Sequence, residues 1–315
     1  MNFKKSFIYI VLIIMMVSII GCEGKQPLDT EADSSKDQIT IAVSIVPEET
    51  FVKAVAGDLV DVVTMIPPGH SPANYQPTPK QMTKFSEAKV YFSMGVPTER
   101  ANILPKIKDF NKDVKVVSLA DIVEGVYPHR YFELGEHHKH DDDKDHKDNE
   151  EKHSIRDPHI WLSPKRVKVM IDVIKDELID IDPENAKIYT KNAADYLEKL
   201  DQADNEIKEV LSGLAGQSFI IYHPAFGYFA DDYGLKMVTI EEEGKEATTK
   251  KLQNVIDFAK QEKIKFVFYQ QEFDSHQAET IAKEIEGATI KVAPLAPNYI
   301  ENLTYIVGQL KEAVK

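Results

Sequence analysis

The chain has 315 residues, 43% hydrophobic and 29% charged, with 14 Gly and 16 Pro; this excludes collagen-like and wholly disordered classes and leaves room for two modest domains with cores of their own. With 38 Lys and Arg against 52 Asp and Glu, the formal net charge of −14 argues against a partner built of phosphates, so no nucleic acid is expected. The single Cys excludes an internal disulfide framework and any zinc site made of several thiolates.

At the N-terminus, Lys4 and Lys5 precede an apolar run from Phe7 to Gly21 broken only by Ser18. The run is short for a helix that must cross a bilayer core of about 30 Å, and it has the charged and apolar regions of an export signal. Residues 1–21 are therefore expected to be a signal peptide. Ile19-Ile20-Gly21 leads directly into Cys22, which resembles the bacterial lipoprotein signal, with Ile19 where Leu is usual. That resemblance implies lipidation of Cys22; a short anchor with an incidental Cys is the alternative. Residues 22–38 are polar without an apolar period and read as a flexible tether. The expected location is extracytoplasmic, with the chain held to the cell membrane by its acyl chains.

Beyond the tether, strand and helix patterns alternate. Ile39–Val46 is rich in β-branched residues, as a buried parallel strand is. Pro47 opens a helical stretch that Gly57 stops. Val60–Ile66 is the next strand, followed by the loop PPGHSPANYQPTP. Pro79–Ala88 reads as helix, and Lys89–Met94 and Val114–Ser118 as strands. Later in the chain, Ser218–Tyr222, Lys236–Ile240, Lys265–Gln270 and Thr289–Ala293 read as strands. Helical patterns cover Lys250–Lys260, Ser275–Ile285 and Asn298–Val314.

Between these halves no strand pattern occurs from Ser163 to Leu211. Tyr196, Leu197, Leu200, Ala203, Ile207, Val210 and Leu211 form one helical face. The expected architecture is α/β, with two lobes, each a mostly parallel sheet flanked by helices, joined by one long helix. The lobes are expected at residues 39–162 and 217–315, with an interlobe helical region at 163–216 that limits hinge motion.

The segment 137–153, HHKHDDDKDHKDNEEKH, holds five His, seven acids and four Lys in 17 residues. It cannot bury a core. Its His137, His138, His140, His146 and His153 together with the carboxylates are expected to collect divalent metal loosely; a solvated charge run is the bland alternative. Three further histidines stand where ligands of open α/β sheets stand, at or near the carboxyl ends of strands. His223 follows the strand SFIIY, His70 lies in the loop after Ile66, and His159 lies in DPHIWLSP before the interlobe helices. Pro158 restricts the backbone beside His159, Trp161 supplies an apolar wall, and Asp157 is placed to orient an imidazole.

Four segments, GHSPANYQPTPKQM (69–82), DPHIWLSP (157–164), YHPAFGYFADDYGL (222–235) and QQEFDSHQAETIAKEIEGATIKVAPLAPNYIENL (270–303), resemble the metal-binding lipoproteins of zinc and manganese ABC transporters. The acidic, His-rich loop ahead of DPHIWLSP is similar to that of the zinc-specific branch. The resemblance implies a metal held in the cleft between two lobes by His159 and His223, and delivery by a monomeric carrier to a membrane permease with its cytoplasmic ATPase. The usual first-ligand motif has His directly after Pro. Here that position is Ala73, and His70 stands three residues earlier as its expected replacement; a site that has lost one ligand is the alternative. Glu272, at the end of the strand KFVFYQ, is the candidate fourth ligand, with a water as rival.

Three imidazoles and at most one oxygen suit tetrahedral Zn²⁺, carried here as cargo, whereas Mn²⁺ prefers more oxygen donors. Mn²⁺ or another divalent metal is the alternative cargo. A zinc hydrolase and a surface adhesin are readings from other classes. The chain has no HExxH, no G-x-S-x-G and no Walker loop, so no enzyme is expected. Glu241–Glu243 reads as a solvated loop.

Overall fold

The structure, a computed structural model, describes residues 38–132, 155–241 and 245–313. The expected signal peptide, Cys22, the tether up to residue 37 and the five histidines of the 137–153 loop lie outside the described residues.

The first sheet is formed by β1 (Ile39–Val43), β2 (Val60–Thr64), β3 (Val90–Ser93) and β4 (Lys115–Ser118). Its order is β2-β1-β3-β4 and every pairing is parallel. Parallel strands need crossovers, here α1 (Val46–Ala56), α2 (Pro79–Phe85) and α3 (Ile107–Phe110), and α4 (Leu119–Glu124) follows β4. All four residues of β3 and four of five in β1 are buried, which is why these strands read as unbroken apolar runs. α1 starts one residue earlier than the sequence pattern suggests, and β1 stops at Val43. The cause is Glu48, whose carboxylate accepts the N–H groups of Ser44 at 2.9 Å and Ile45 at 3.0 Å and so takes them out of the ladder. α2 begins with a reciprocal cap, in which Gln81 N–H donates to Thr78 Oγ1 and Thr78 N–H donates to Gln81 Oε1.

A two-residue antiparallel pair, β5 (Tyr131–Phe132) and β6 (Ile155–Arg156), brackets the His-rich segment. The expected interlobe helical region holds two helices, α5 (Pro164–Ile181) and the long α6 (Ala186–Leu211). Pro183 forces the break, because Asp182 before it leaves the helical region, with φ −143° and ψ 70°. α6 has 26 residues and is about 39 Å long. It packs against α5 and α1 on one side and against α10 (Tyr299–Ala313) of the second half on the other.

The second sheet holds β7 (Ser218–Ile221), β8 (Lys236–Thr239), β9 (Phe266–Gln270) and β10 (Ala288–Val292), in the all-parallel order β10-β9-β7-β8. Its helices are α7 (Gly227–Tyr233), α8 (Thr249–Glu262), α9 (His276–Glu284) and α10. One continuous core runs from Ile41 and Phe92 through Tyr189 and Leu200 of α6 to Phe219 and Phe268. Burial at that scale ties the halves together more firmly than a loop would. Both sheets have a topological switch point, between β1 and β3 and between β7 and β9, and there the carboxyl ends of neighbouring strands part to leave room for a ligand.

Candidate metal centre

Two histidines from opposite halves meet at the second switch point. His223 lies just past β7, and both of its backbone polar groups are held by Gln270 at the end of β9: His223 N–H donates to Gln270 Oε1 at 3.2 Å, and Gln270 Nε2 donates to His223 O at 2.7 Å. His159 comes from the segment between β6 and α5. Its N–H donates to Asp157 Oδ1 at 3.0 Å, a tight turn that Pro158 restricts. The Nε2 atoms of the two rings stand 3.1 Å apart. Two nitrogens bound to one tetrahedral Zn²⁺ at 2.0–2.1 Å would stand about 3.3 Å apart, so the separation already suits a shared ion.

The other nitrogen of each ring faces a carboxylate. Asp157 Oδ1 lies 2.7 Å from His159 Nδ1, and Glu241 Oε2 lies 2.7 Å from His223 Nδ1. An ionised carboxylate only accepts, so each Nδ1 carries the hydrogen and each Nε2 is left as a lone pair. Two lone pairs in contact repel unless a cation sits between them. Such carboxylates also raise the basicity of the opposite ring nitrogen, the one that would face an ion. Burial holds the His223 imidazole below its ordinary pKa, and the hydrogen bond it donates to Glu241 works against that shift. The ring is therefore neutral, as a metal ligand must be, at neutral pH.

Packing fixes the rings. Phe273 stacks on His223 with centroids 4.6 Å apart and planes 20° apart, and Trp161 lies 5.1 Å from His159. Trp161 Nε1 donates to Pro294 O at 3.0 Å, which anchors that wall across the cleft. Behind Asp157, Arg130 Nε lies 3.5 Å from Oδ2 while its guanidinium also pairs with Asp231 on α7. A Cβ at Gly227 would fall 2.5 Å from Arg130 Nε, so a larger residue there would have to displace the guanidinium.

Glu272 lines the same cavity, half-buried, with no hydrogen-bond partner for its Oε1 among the described residues and its pKa raised by burial. His70 is not brought to the pair. A turn closed by His70 N–H donating to Pro67 O at 3.3 Å, with Gly69 at φ +81°, leaves the ring exposed and 4.6 Å from Tyr75. The cavity wall at that point is Ser71 to Asn74, including Ala73. Among the described residues no three His, Cys, Asp or Glu side chains stand close enough to hold one ion. Glu241 overturns the reading of 241–243 as a solvated loop at its first position: it is 6% exposed and orients His223. The signal was present, since Glu241 follows the end of β8, the strand paired with β7, and its N–H donates to Tyr222 O at 2.9 Å.

Comparison with known proteins identifies the family. The chain is 30% identical over 308 residues to the zinc-binding protein AdcA of Streptococcus pyogenes, covering 93% of this chain and 56% of AdcA, so it spans about half the length of that relative. It is 28% identical over 309 residues to the high-affinity zinc uptake system protein ZnuA of Bacillus subtilis, covering 91% of this chain and 88% of that one. A crystal structure of ZnuA superposes with a TM-score of 0.77 at 32% identity, over 89% of this chain and all of that one. A zinc-bound ZnuA deletion mutant gives 0.76 at 33%, over 89% of this chain and 99% of that one. The family model for the periplasmic component A of the zinc-uptake complex matches residues 41–313, and the chain belongs to that family.

Proposed function

We propose that the protein captures Zn²⁺ outside the cytoplasm, between His159 and His223, and hands it to an ABC permease driven by a cytoplasmic ATPase. The observation that carries this reading is the pair of Nε2 lone pairs 3.1 Å apart, each ring pinned through Nδ1 by its own carboxylate. Nitrogen donors of this kind favour Zn²⁺ over Mn²⁺. Glu272 is the proposed oxygen donor. His70 can join only if the turn at residues 67–70 opens. The reading includes no catalysis: the chain binds and releases its cargo unchanged. It also includes lipidation of Cys22 as the membrane tether and loose metal collection by the 137–153 loop. Among the described residues no helix is long and apolar enough to cross a membrane.

Competition of the metal-free protein against a fluorescent zinc chelator tests the reading. His159→Ala and His223→Ala are each expected to weaken zinc binding by more than the roughly 100-fold that losing an outer partner costs. Unchanged affinity in either variant would refute it. Labelling of the wild type but not of Cys22→Ser by radioactive palmitate in cells tests the anchor.

A further inference from the structure

We propose that Tyr228 is the positioning residue that holds His159 and His223 in register, its hydroxyl standing as a rung in the strand pair from which His159 hangs. The inference rests on the zinc reading above and adds how the two imidazoles are brought together.

The register of β5 and β6 places Arg130 opposite Asp157, as the next pair beyond Tyr131 and Arg156. Alternate pairs of an antiparallel ladder exchange two backbone hydrogen bonds. One of the two is made directly here, with Asp157 N–H donating to Arg130 O at 2.9 Å. The other runs through a side chain: Arg130 N–H donates to the Tyr228 hydroxyl at 3.0 Å, and that hydroxyl donates to Asp157 O at 3.0 Å. Its remaining lone pair faces His129 Nδ1 at 3.2 Å, so a group with one hydrogen and two lone pairs is fully engaged. Tyr228 is fully buried, and the Arg166 guanidinium stacks on its ring, 4.4 Å from the centroid.

Placement in the chain turns this rung into a link between the two ligands. Tyr228 is the second residue of α7, five residues after His223, whereas Asp157 comes two residues before His159 and grips its ring through Oδ1. α7 also holds the far side of the His159 segment, where Asp232 accepts Arg166 Nη1 at 3.0 Å and the Ser163 hydroxyl. Asp231 pairs with Arg130 itself. One seven-residue helix therefore grips the chain at Asp157 and at Ser163, on either side of His159, and begins just after His223. A carboxylate orients an imidazole only while its own backbone is fixed. Without the hydroxyl, Arg130 N–H and Asp157 O face a gap. They then stay unpaired in a buried setting, or they close on each other and carry Asp157 Oδ1 off His159 Nδ1.

The test compares Tyr228→Phe, which keeps the ring and removes the rung, with Tyr189→Phe, which removes the hydroxyl of another buried tyrosine, bonded to Asp182 between α5 and α6. Zinc affinity is read by chelator competition, the geometry of the site by the visible absorption of bound Co²⁺, and the fold by thermal unfolding. Tyr228→Phe is expected to bind zinc about tenfold more weakly or worse and to lose intensity in the bands of tetrahedral Co²⁺, while Tyr189→Phe keeps the wild-type affinity and spectrum. Wild-type affinity and spectrum in Tyr228→Phe would overturn the proposal and leave the zinc reading intact. Equal weakening in Tyr189→Phe would also overturn it, by assigning the effect to general stability. Should Tyr228→Phe not fold, Asp232→Asn frees the opposite end of the His159 segment, and an unchanged affinity and spectrum there would overturn the role of α7 as the shared support. Absence of zinc binding by the wild type would sink the zinc reading and this inference with it.

Discussion

Glu99 is a buried acid at the first switch point, and replacing it with Gln has a calculable effect on stability. Its side chain is fully buried. It accepts the N–H of Met94 at 2.8 Å and that of Gly95, takes the hydroxyl of Ser44, and has Tyr91 OH at 3.3 Å. The equally buried Glu48 lies close enough to repel it, and Glu48 Oε1 has no hydrogen-bond partner among the described residues. Burial pushes the Glu99 carboxyl up from 4.5 to about 7 against the hydrogen bonds that lower it.

A folded-state pKa above the unfolded value means that the folded chain keeps a proton the unfolded chain gives up. The contribution to stability is then complete below about pH 4.5 and is lost as pH rises through about 7. The displacement corresponds to roughly 3 kcal/mol in all, of which about 2–3 kcal/mol falls between pH 5 and pH 8. Glu99→Gln cannot ionise. It also turns an amide NH₂ toward one of the two backbone donors, a cost of about 1–3 kcal/mol that does not vary with pH. Urea unfolding of both proteins, followed by far-ultraviolet circular dichroism in the presence of a metal chelator, reads the difference directly. The variant should gain about 2–3 kcal/mol on the wild type between pH 5 and pH 8. A wild-type–variant difference that stays constant across that range would show that Glu99 is ionised throughout and would refute the reasoning. The outcome matters for the cleft, because Val96, Pro97 and Arg100, on the segment Glu99 holds, form part of its wall.

Three further outcomes are expected. Asp157→Asn and Glu241→Gln, which keep the shape and remove the charge behind each imidazole, should each weaken zinc binding about 10–100-fold without lowering the melting temperature of the metal-free protein by more than a few degrees; full affinity in both would mean the carboxylates do not orient the rings. Zinc affinity should stay flat from pH 8 down to about the ordinary imidazole pKa of 6.5 and fall below it, because burial keeps His223 neutral to lower pH than a free imidazole; a fall beginning near pH 7.5 would contradict this. Gly227→Ala should lower stability by about 1–3 kcal/mol in denaturant unfolding, since its Cβ meets the Arg130 guanidinium; a neutral result would mean that Arg130 moves aside freely.

The alternation of strands and helices was legible because it is local. A buried parallel strand such as β3 is an apolar run, and the stripe on α6 repeats with the helical period whatever it packs against. His159 and His223 could be singled out for the same reason, each sitting on a short, stiff segment at the end of an element, and the structure makes the two rings neighbours. The short α7 was not, because five of its seven residues are buried and burial on all sides leaves no period to read. What the three-dimensional arrangement decided is everything that depends on which strands are neighbours. Glu241 looks like one acid in a charged run until β8 pairs with β7 and sets it behind His223. Glu48 and Glu99 are far apart in the chain and meet only because β1 pairs with β3. His70 and Ala73 lie three residues apart, yet the turn at Gly69 leaves His70 exposed and outside the cavity while Ala73 lines its wall. Composition and period act through nearest neighbours along the chain, whereas a binding site is made by neighbours across it, and only folding assigns those.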